Sequence, residues 1–245
     1  MMVQYILNIG GKQENEMKRT SLKVIGMGGI GTVLTDNLCR FLNYSQDVSC
    51  PKVTLIDGDD FEDKNKERQS FNIFGNKAIS KMMELVPKFM NVEIYQIHEF
   101  VTQENINQIL DEEDIIMLCV DNHKTRKLVS DYVGKMRNSV LISGGNEYVD
   151  GNVQVFIRKD GANVTPSLTD YHPEIANPQD KSPHEMGCEE LEKSAPQLLF
   201  TNSTVANIMC WVFWNYLQNK DFSKSEIYFD INEMSADPKQ RKVKN

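Results

Sequence analysis

A glycine-rich turn between an apolar run and a helical pattern constrains the fold of this chain more than any other feature. Residues 21–25 (SLKVI) are typical of a short β-strand, and the turn Gly26-Met-Gly-Gly-Ile-Gly31 follows directly. Residues 32–42 then place apolar side chains at helical spacing. A strand, a glycine turn and a helix in this order open a parallel α/β sheet whose turn can hold a phosphate.

The glycines of this turn have separate expected roles. Gly26 permits the tight turn, and Gly31 lets the helix pack closely on the sheet. Gly28 and Gly29 let backbone N–H groups approach a phosphate, and the helix N-terminus adds about half a positive charge there. The same pattern occurs in dinucleotide-dependent dehydrogenases, and a glycine cluster can also be a simple connection. The turn therefore indicates a phosphate without identifying the ligand.

The chain after the turn continues to alternate between strand and helix patterns. We predict strands at 52–56, 92–97, 114–120 and 139–143, and helices at 77–89, 102–110 and 125–136. The run 114–120 is continuously apolar, as in a central parallel strand that is buried on both faces. The prediction is an α/β fold with a doubly wound, Rossmann-like, mainly parallel sheet and helices on both faces.

The last third of the chain has a different pattern. Residues 151–158 suit a strand that pairs antiparallel and begins a C-terminal extension of the sheet. Residues about 160–200 are predicted as a flexible crossover loop, and a helix at 204–217 and a strand at 226–230 close the fold. The polar tail 236–245 is predicted to fray. We expect one domain over 1–245, with its core at about 20–158 and the C-terminal helix and strand within 201–235.

Composition excludes several function classes. The formal net charge of −8 disfavours a nucleic-acid partner, which needs a clustered basic face. No stretch reaches the roughly 18 apolar residues of a membrane span, and the apolar run 3–9 is too short for a signal peptide. The five cysteines form no C-x-x-C pair, so we expect neither zinc nor disulfides, and we expect a cytoplasmic protein.

Two acidic positions lie where predicted parallel strands end. Asp57 follows the second strand, as does the acid that binds a ribose in nucleotide-binding sheets; its alternative role is a turn residue. Asp121 and Asn122 follow the apolar central strand, where a carboxylate points into the ligand crevice. Mg²⁺ prefers one or two carboxylates together with phosphate oxygens, which suits Asp121. A simple helix cap is the alternative for this Asp-Asn pair.

Two cations distinguish the possible ligands. Arg68 and Lys77 follow Asp57 in a strongly charged segment. A dehydrogenase needs neither cation, whereas an enzyme that handles a triphosphate uses such cations to neutralise the β- and γ-phosphates. By composition alone, the segment could equally be a solvated charged loop.

Together these motifs resemble the ThiF/MoeB/HesA superfamily, the prokaryotic relatives of ubiquitin-activating enzymes. The resemblance covers residues 20–158 closely and 186–217 loosely. The matching positions are the turn Gly26–Gly31, the pair Asp57 and Asp59, the segment Asn65–Gln69, Lys77, and the segment Asp121–Arg126. The segment 170–183 is also similar to ThiF-like proteins of the PRTRC type, which are encoded beside a small ubiquitin-like protein.

The resemblance implies an activity and a role for each matching residue. Asp57 would bind the ATP ribose, with Asp59 and Asn122 also at the nucleotide. Asn65, Arg68 and Lys77 would bind the phosphates, Gln69 would support their loop, and Asp121 would hold Mg²⁺. The implied reaction is attack by the C-terminal carboxylate of a small ubiquitin-like or sulfur-carrier-like protein on the α-phosphorus of ATP. It yields an acyl adenylate and pyrophosphate, mainly by positioning and charge neutralisation.

The resemblance also implies a later step and an assembly. Cys188 lies in the crossover loop, where relatives can carry a cysteine that takes the acyl group as a thioester; an ordinary loop cysteine is the alternative. A homodimer is implied, with the helix at 208–216 or the strand at 151–158 near its interface. An N-terminal Arg-x-x-Arg-Gln segment, which supplies an arginine to the partner subunit in many relatives, has no counterpart here.

Two other functions stay open on the sequence. One is an NAD-dependent oxidoreductase built on the same glycine turn. The other is a nucleotide-binding half of a dimer that has no activity of its own. The presence of all the matching residues favours the adenylating enzyme over both.

Overall fold

The computed structural model describes residues 19–181 and 197–244. Within them, the strands are β1 (Arg19–Ile25), β2 (Ser49–Ile56), β3 (Asp60–Phe61), β4 (Gly75–Asn76), β5 (Glu93–Ile97), β6 (Ile115–Leu118), β7 (Ser139–Asn146), β8 (Asp150–Lys159), β9 (Ala162–Asn163), β10 (Lys224–Asp230) and β11 (Ser235–Gln240). The α-helices are α1 (Gly29–Tyr44), α2 (Lys77–Leu85), α3 (Ile106–Ile109), α4 (His123–Val133), α5 (Pro173–Ala176) and α6 (Leu199–Leu217), and a 3-10 helix covers Asp63–Asn65.

One large sheet organises the chain in the order β11-β10-β8-β7-β6-β1-β2-β5, with β9 paired to β8. The strands from β7 to β5 in this order are parallel. The remaining pairs are antiparallel: β8 pairs with β7, β10 with β8, and β11 with β10. The doubly wound, mainly parallel sheet and its antiparallel C-terminal extension are therefore confirmed.

Apolar side chains alternate between the two faces of the sheet and build a core on each. Val24 of β1 and Met117 of β6 face one core, which α1, α2 and α6 cover. Ile25 and Leu118 face the other core, which α3, α4 and α5 cover. Because helices bury both faces, the central strands are apolar throughout, as the run 114–120 predicts.

Two sequence predictions for the second half of the chain need correction. The tail 236–245 is not frayed over 235–240, because these residues form β11 against β10. Their side chains are almost all exposed and polar, so no apolar alternation revealed the strand. The crossover loop also contains structure, since β9 and α5 lie within it.

The strand order reverses direction between β1 and β6, which places the glycine turn at this point. From β1 the chain moves outward to β2 and β5, and then returns to the other side of β1 for β6 and β7. In an open parallel sheet, ligands bind at the carboxyl ends of the strands beside such a reversal. The loops after β1, β2 and β6 all begin at this edge.

No helix in the described ranges is long and apolar enough to cross a membrane.

Candidate functional site

The backbone of the turn after β1 requires glycine at its first position. Gly26 has a φ of +92°, and a Cβ there would stand 2.9 Å from the carbonyl oxygen of Cys119. The Cys119 N–H donates to the carbonyl of Ile25 at 2.8 Å, which joins the end of β6 to the end of β1. The loop that carries Asp121 therefore lies directly against the glycine turn.

The other glycines of the turn differ in the space that surrounds them. Gly28 is partly exposed and has open space where a Cβ would lie, as a phosphate approach needs. Gly29 is buried instead, and a Cβ there would stand 2.1 Å from the amide nitrogen of Asn202. A Cβ at Gly31 would stand 1.9 Å from the carbonyl oxygen of Gly26, so Gly31 closes the turn on itself.

The N-terminus of α1 opens at this turn without a side-chain cap. Gly28 is the N-cap residue and offers no side chain to the first N–H groups of the helix. The first N–H groups of an α-helix have no partner within the helix, and its dipole favours negative charge at this end. The arrangement is suited to an anion such as a phosphate.

Asp57 joins the end of β2 to the glycine turn. Its Oδ2 accepts a hydrogen bond from the Met27 N–H at 2.5 Å, and its Oδ1 accepts one from the Asp59 N–H at 2.8 Å. Burial raises the pKa of Asp57, while Lys77 and the two N–H donors oppose that rise. Each carboxylate oxygen keeps a second lone pair that can accept another hydrogen bond.

Lys77 begins α2 and points its charge at the segment after β2. The Asn76 side chain caps the helix by accepting from the N–H groups of Ala78 and Ile79. The Lys77 side chain is buried, and its Nζ lies 2.6 Å from Oδ2 of Asp59, which is partly exposed. Asp59, predicted at the nucleotide, is therefore the carboxylate that holds Lys77.

The loop that carries Arg68 is built around Asn65. The buried Asn65 side chain accepts a hydrogen bond from the Glu62 N–H, and the Asn65 carbonyl accepts from the N–H groups of Arg68 and Gln69. This position makes Asn65 an anchor of the loop, in addition to its predicted role at the phosphates. Gln69 is buried beside it, in agreement with a supporting role.

Arg68 reaches toward the start of α6. Its Nη1 donates to Oε1 of Gln197 at 3.2 Å, and the Asn202 amide nitrogen lies 3.4 Å from the same oxygen. Since Asn202 also contacts Gly29, these three side chains join the Arg68 loop, α6 and the glycine turn. Neither Gln197 nor Asn202 was predicted from the sequence.

The residues after β6 separate into a buried scaffold and an exposed carboxylate. Asn122 caps α4 by accepting from the Thr125 N–H at 2.8 Å, which is the structural alternative that the sequence left open. The buried Arg126 guanidinium donates to the Val120 and Gly144 carbonyls and to Oγ of Ser143. Asp121 is exposed at the head of this loop.

Several buried polar atoms around this edge have no hydrogen-bond partner in the described ranges. They are Oε1 of Gln69, Nδ2 of Asn122, Nδ1 of His123, Oδ1 of Asp180 and Oδ1 of Asn202. A buried polar atom without a partner costs about 1–3 kcal/mol, so such atoms are rare unless a ligand or water completes them. Gln69 lies in the loop after β2, Asn122 and His123 follow β6, Asp180 lies in the crossover loop, and Asn202 lies in α6. Their gathering at this edge is what a polar ligand site needs.

Asp180 adds a carboxylate to this edge that the sequence did not indicate. Its Oδ2 accepts from the His123 N–H at 2.5 Å and so binds the crossover loop to the start of α4. The described ranges contain no group of three or more His, Cys, Asp or Glu side chains placed to hold a metal. A Mg²⁺ ion held here would therefore take most of its ligands from phosphate and water, as this ion usually does.

The cysteines of the described ranges are mostly buried. Burial raises the pKa of Cys39 and of Cys210 to about 12 each, and it also raises that of Cys119. These three thiols pack in or against the core and stay protonated at neutral pH. Cys188 lies outside the described residues, so its predicted role stays a prediction.

Curated relatives match about two thirds of the chain. The adenylyltransferase and sulfurtransferase MOCS3 of Drosophila ananassae is 28% identical over 158 residues, which are 63% of this chain and 33% of that protein. The protein of the same name from Aedes aegypti is 28% identical over 159 residues, which are 62% of this chain and 34% of that protein. The chain thus spans about a third of the length of these relatives.

Solved structures with the same fold match nearly the whole chain. The crystal structure of E. coli MccB with ATP superposes with a TM-score of 0.69 at 15% identity, covering 92% of this chain and 65% of MccB. The crystal structure of PaaA superposes with a TM-score of 0.67 at 16% identity, covering 91% of this chain and 73% of PaaA. At these identities the likeness establishes the fold.

The match to a family model extends over almost all of the sequence. The model of the ThiF family matches residues 3–244, which include the glycine turn, Arg68, Lys77 and Asp121. The chain therefore belongs to the ThiF family.

Proposed function

We propose that the chain binds ATP with Mg²⁺ and adenylates the C-terminal carboxylate of a small ubiquitin-like or sulfur-carrier-like protein. The observation that carries this proposal is the arrangement at the reversal of strand order. An uncapped helix N-terminus, the cations of Arg68 and Lys77 and an exposed carboxylate lie around one glycine turn there. The chain's membership of a family whose relatives include named adenylyltransferases supports the same activity.

The cations have the roles that a departing pyrophosphate requires. The phosphates of ATP would lie at Gly28 and the first N–H groups of α1. The Lys77 ammonium would then leave Asp59 and bind a phosphate oxygen. The Arg68 guanidinium would leave Gln197 in the same way. In both cases the new hydrogen-bond acceptor carries more negative charge than the old one. Their charges would stabilise the transition state as the bond between the α-phosphorus and the bridging oxygen breaks.

The ribose and base would extend from the turn toward β5. Asp57 would accept a ribose hydroxyl through its free lone pairs. Beyond Asp57, a surface depression of about 490 Å³ follows the ends of β2 and β5; its lining residues are Gly58, His98, Glu99, Phe100, Thr102, Glu104 and Asn105. An adenine placed there would lie on the side of Asp57 away from the glycine turn.

Asp121 is the residue that would hold Mg²⁺. It is exposed beside the turn. The amide nitrogen of Asn122 next to it, which has no partner among residues 19–181 and 197–244, offers a donor for a phosphate or ribose oxygen. The ion would supply charge neutralisation at the phosphates, the usual role of Mg²⁺ at a nucleotide. Single carboxylate ligands of this kind are common because the substrate provides other oxygens.

A second step would use Cys188. Its thiolate would attack the carbonyl carbon of the acyl adenylate, form a thioester and release AMP. Cys188→Ala should leave adenylation intact and prevent a thiol-cleavable adduct with the small protein. An adduct that persists in Cys188→Ala would assign the thioester to another residue.

We also propose that the chain forms a homodimer through α6 and not through β8. The strand is buried between β7 and β10 and has no free edge, whereas Trp211 and Trp214 of α6 are about half exposed. Large aromatic side chains on one exposed helix face are typical of an interface. Sedimentation of the double variant Trp211→Arg/Trp214→Arg should give a monomer where the unaltered chain gives a dimer; an unchanged dimer would move the interface elsewhere.

Exchange of labelled pyrophosphate into ATP tests the adenylation directly. The assay uses a small ubiquitin-like protein ending in Gly-Gly, and the same protein with an amidated C-terminus as the control. Exchange is expected only with the free carboxylate, and Arg68→Ala should abolish it while Arg137→Ala, an exposed arginine on another surface, should not. ATP binding without any exchange would instead favour a non-catalytic nucleotide-binding role.

A further inference from the structure

A lysine in the middle of α2 is completely buried and has no part in the site described above. The Lys81 side chain has no exposed surface, although an ammonium group is seldom taken out of water unless it is paired. Its Nζ donates to the Ser70 carbonyl at 2.6 Å and to Oε2 of Glu84 at 3.1 Å. It also lies 3.5 Å from Oδ2 of Asp36 and 5.0 Å from the centre of the Phe71 ring.

These contacts join three separate parts of the proposed phosphate site. Asp36 belongs to α1, whose first turn is the glycine turn. Glu84 belongs to α2, which begins at Lys77. Ser70 belongs to the loop that carries Arg68, two residues earlier. The Lys81 ammonium group therefore connects α1, α2 and the Arg68 loop, which supply the proposed phosphate-binding groups.

The spacing along α2 explains how one helix serves both cations. Lys77, Lys81 and Glu84 are four and three residues apart, so they project from one side of the helix. Lys77 points its charge at the nucleotide end, while Lys81 and Glu84 hold the backbone of the Arg68 loop. Glu84 contributes a second contact, since its Oε1 accepts a short hydrogen bond from the Asn72 N–H.

After Gln69 the Arg68 loop is held by the rings of Phe71 and Phe74, which contact the Phe61 ring, and by hydrogen bonds to its backbone. Residues 70–74 form no helix or sheet, and most of them are exposed. The Asn65 carbonyl holds the loop up to Gln69, and the two α2 side chains hold it at Ser70 and Asn72. Arg68 and Gln69 thus lie between an anchor in the loop itself and an anchor on α2.

We propose that Lys81 is a positioning residue of the ATP site, which fixes the Arg68 loop relative to Lys77 and to the glycine turn. It contacts neither substrate nor reacting atoms and acts through Arg68. The inference rests on the proposed role of Arg68 at the phosphates.

The test compares two buried lysines by titration calorimetry with ATP and Mg²⁺. Lys81→Met keeps the length of the side chain and removes its charge. Lys23→Met is the matched control, because Lys23 is also buried and lies 3.7 Å from Asp114, a pair away from the strand ends that form the site. Lys88→Met controls for the shared partner, since the partly exposed Lys88 lies 3.9 Å from Asp36.

The expected results separate positioning from general stability. Both buried-lysine variants should lower the unfolding midpoint. Only Lys81→Met should raise the Kd for ATP, by about tenfold, as when one hydrogen bond to a charged group is lost. Lys23→Met and Lys88→Met should stay within about twofold of the unaltered chain. Lys81→Arg, which can still donate to Ser70, should recover most of the affinity.

A double-mutant cycle shows whether Lys81 acts through Arg68. If it does, Arg68→Ala/Lys81→Met should bind ATP as weakly as Arg68→Ala alone, because the loop then has no Arg68 side chain to position. The inference would be overturned if the two substitutions raised the Kd independently, so that their fold-changes multiply in the double variant. An unchanged Kd in Lys81→Met would overturn it as well. If Lys81→Met does not fold, Glu84→Gln takes its place, because it weakens the same anchor. It should raise the Kd for ATP by about threefold. An unchanged Kd in this variant would overturn the inference.

The same data distinguish this inference from the function on which it rests. If Arg68→Ala binds ATP as well as the unaltered chain, the proposed role of Arg68 is wrong. If Arg68→Ala weakens binding and Lys81→Met does not, the site is right and only the positioning role of Lys81 is wrong.

Discussion

Two regions of the molecule bury polar and charged side chains, but they complete their hydrogen bonds differently. At the reversal of strand order, buried atoms of Asn122 and Asn202 have no partner in the described ranges. In the antiparallel extension, His172 contacts Glu226 at 2.5 Å through Nε2 and Glu174 at 2.7 Å through Nδ1. We call the first the incomplete region, because these buried atoms lack hydrogen-bond partners in the described ranges. We call the second the complete region, because its charged side chains are paired.

The complete cluster connects the end of the chain to the crossover loop. The Arg241 Nε donates to Oε2 of Glu226 at 2.8 Å, so both oxygens of this carboxylate are used. The Arg241 guanidinium lies over the Tyr171 ring, 4.8 Å from its centre. Because buried charges with all their partners stabilise a fold without needing a ligand, the difference indicates binding in one region and structure in the other.

Electrostatics agree with this division. Burial alone would lower the pKa of His172, but its hydrogen bonds to Glu226 and Glu174 outweigh burial and raise it. Burial acts against Glu226 too, yet His172 and Arg241 lower the pKa of Glu226 to about 2. Both shifts favour the charged form of the group. Asp57, which lies in the incomplete region, shows the opposite shift for a carboxylate, because burial raises its pKa.

The strongest test of the difference removes a charge from the incomplete region. Asp121→Ala should lower pyrophosphate exchange by about 10²–10³-fold, because the proposed metal ligand is lost where charge develops. Its free energy of unfolding should not change, since Asp121 is exposed. The matched control is Asp131→Ala on α4, whose exposed pair with Lys127 should contribute little to stability and nothing to exchange. Normal exchange by Asp121→Ala would refute the magnesium role.

The converse test removes a charge from the complete region. His172→Gln should lower the free energy of unfolding by about 2 kcal/mol at pH 6, the cost of losing a buried hydrogen bond between charged groups. Exchange by the folded protein should stay close to normal.

The pH dependence of this variant has a definite sign. The raised pKa of His172 means that its stabilisation is complete below the ordinary value of 6.5 and is lost as pH rises through the pKa of the folded state. The lowered pKa of Glu226 means that its stabilisation is present above 4.5 and is lost as pH falls toward 2. Denaturant unfolding at pH 6 and pH 9 should therefore show a smaller difference between His172→Gln and the unaltered chain at pH 9; equal differences would contradict the charged pair.

The smallest expected effect comes from replacing a polar side chain of the incomplete region with an apolar one. Asn202→Leu removes a buried oxygen without a partner, so the free energy of unfolding should stay the same or rise by about 1 kcal/mol. Exchange should fall by about fivefold, since Gln197 and Arg68 lose a neighbour. Asn207→Leu, an exposed position on the same helix, should change neither quantity. A clear loss of stability in Asn202→Leu would mean that its amide serves the fold and not the site.

The sequence predicts those parts of the molecule that depend on local patterns. The central strands are readable because apolar runs such as 114–120 must be buried on both faces. Arg68, Lys77 and Asp121 are readable because their types and spacing form a chemical pattern. Arg68 and Asp121 lie on loops near the glycine turn, and Lys77 lies at the start of α2. Asn65 and Asn122 were predicted at the nucleotide, and their backbone contacts give both an additional structural role.

What escaped prediction depends on contacts between distant parts of the chain. Asn202 lies between Thr201 and Ser203 in a polar stretch that forms no recognisable motif, and only the packing of α6 against α1 brings it to Gly29. Asp180 meets the start of α4 across 57 residues of sequence. The strand β11 has polar, exposed side chains and Pro238 on an edge of the sheet, so its pairing leaves no mark in the pattern of hydrophobicity.

Titration of the chain with three nucleotides in the presence of Mg²⁺ tests the central claim most directly. A triphosphate site at the glycine turn predicts that ATP binds more tightly than ADP and that NAD⁺ binds most weakly. Arg68→Ala should weaken ATP binding and narrow the difference between ATP and ADP. Binding of NAD⁺ at least as tight as that of ATP, with no effect of Arg68→Ala, would contradict the account and favour an oxidoreductase.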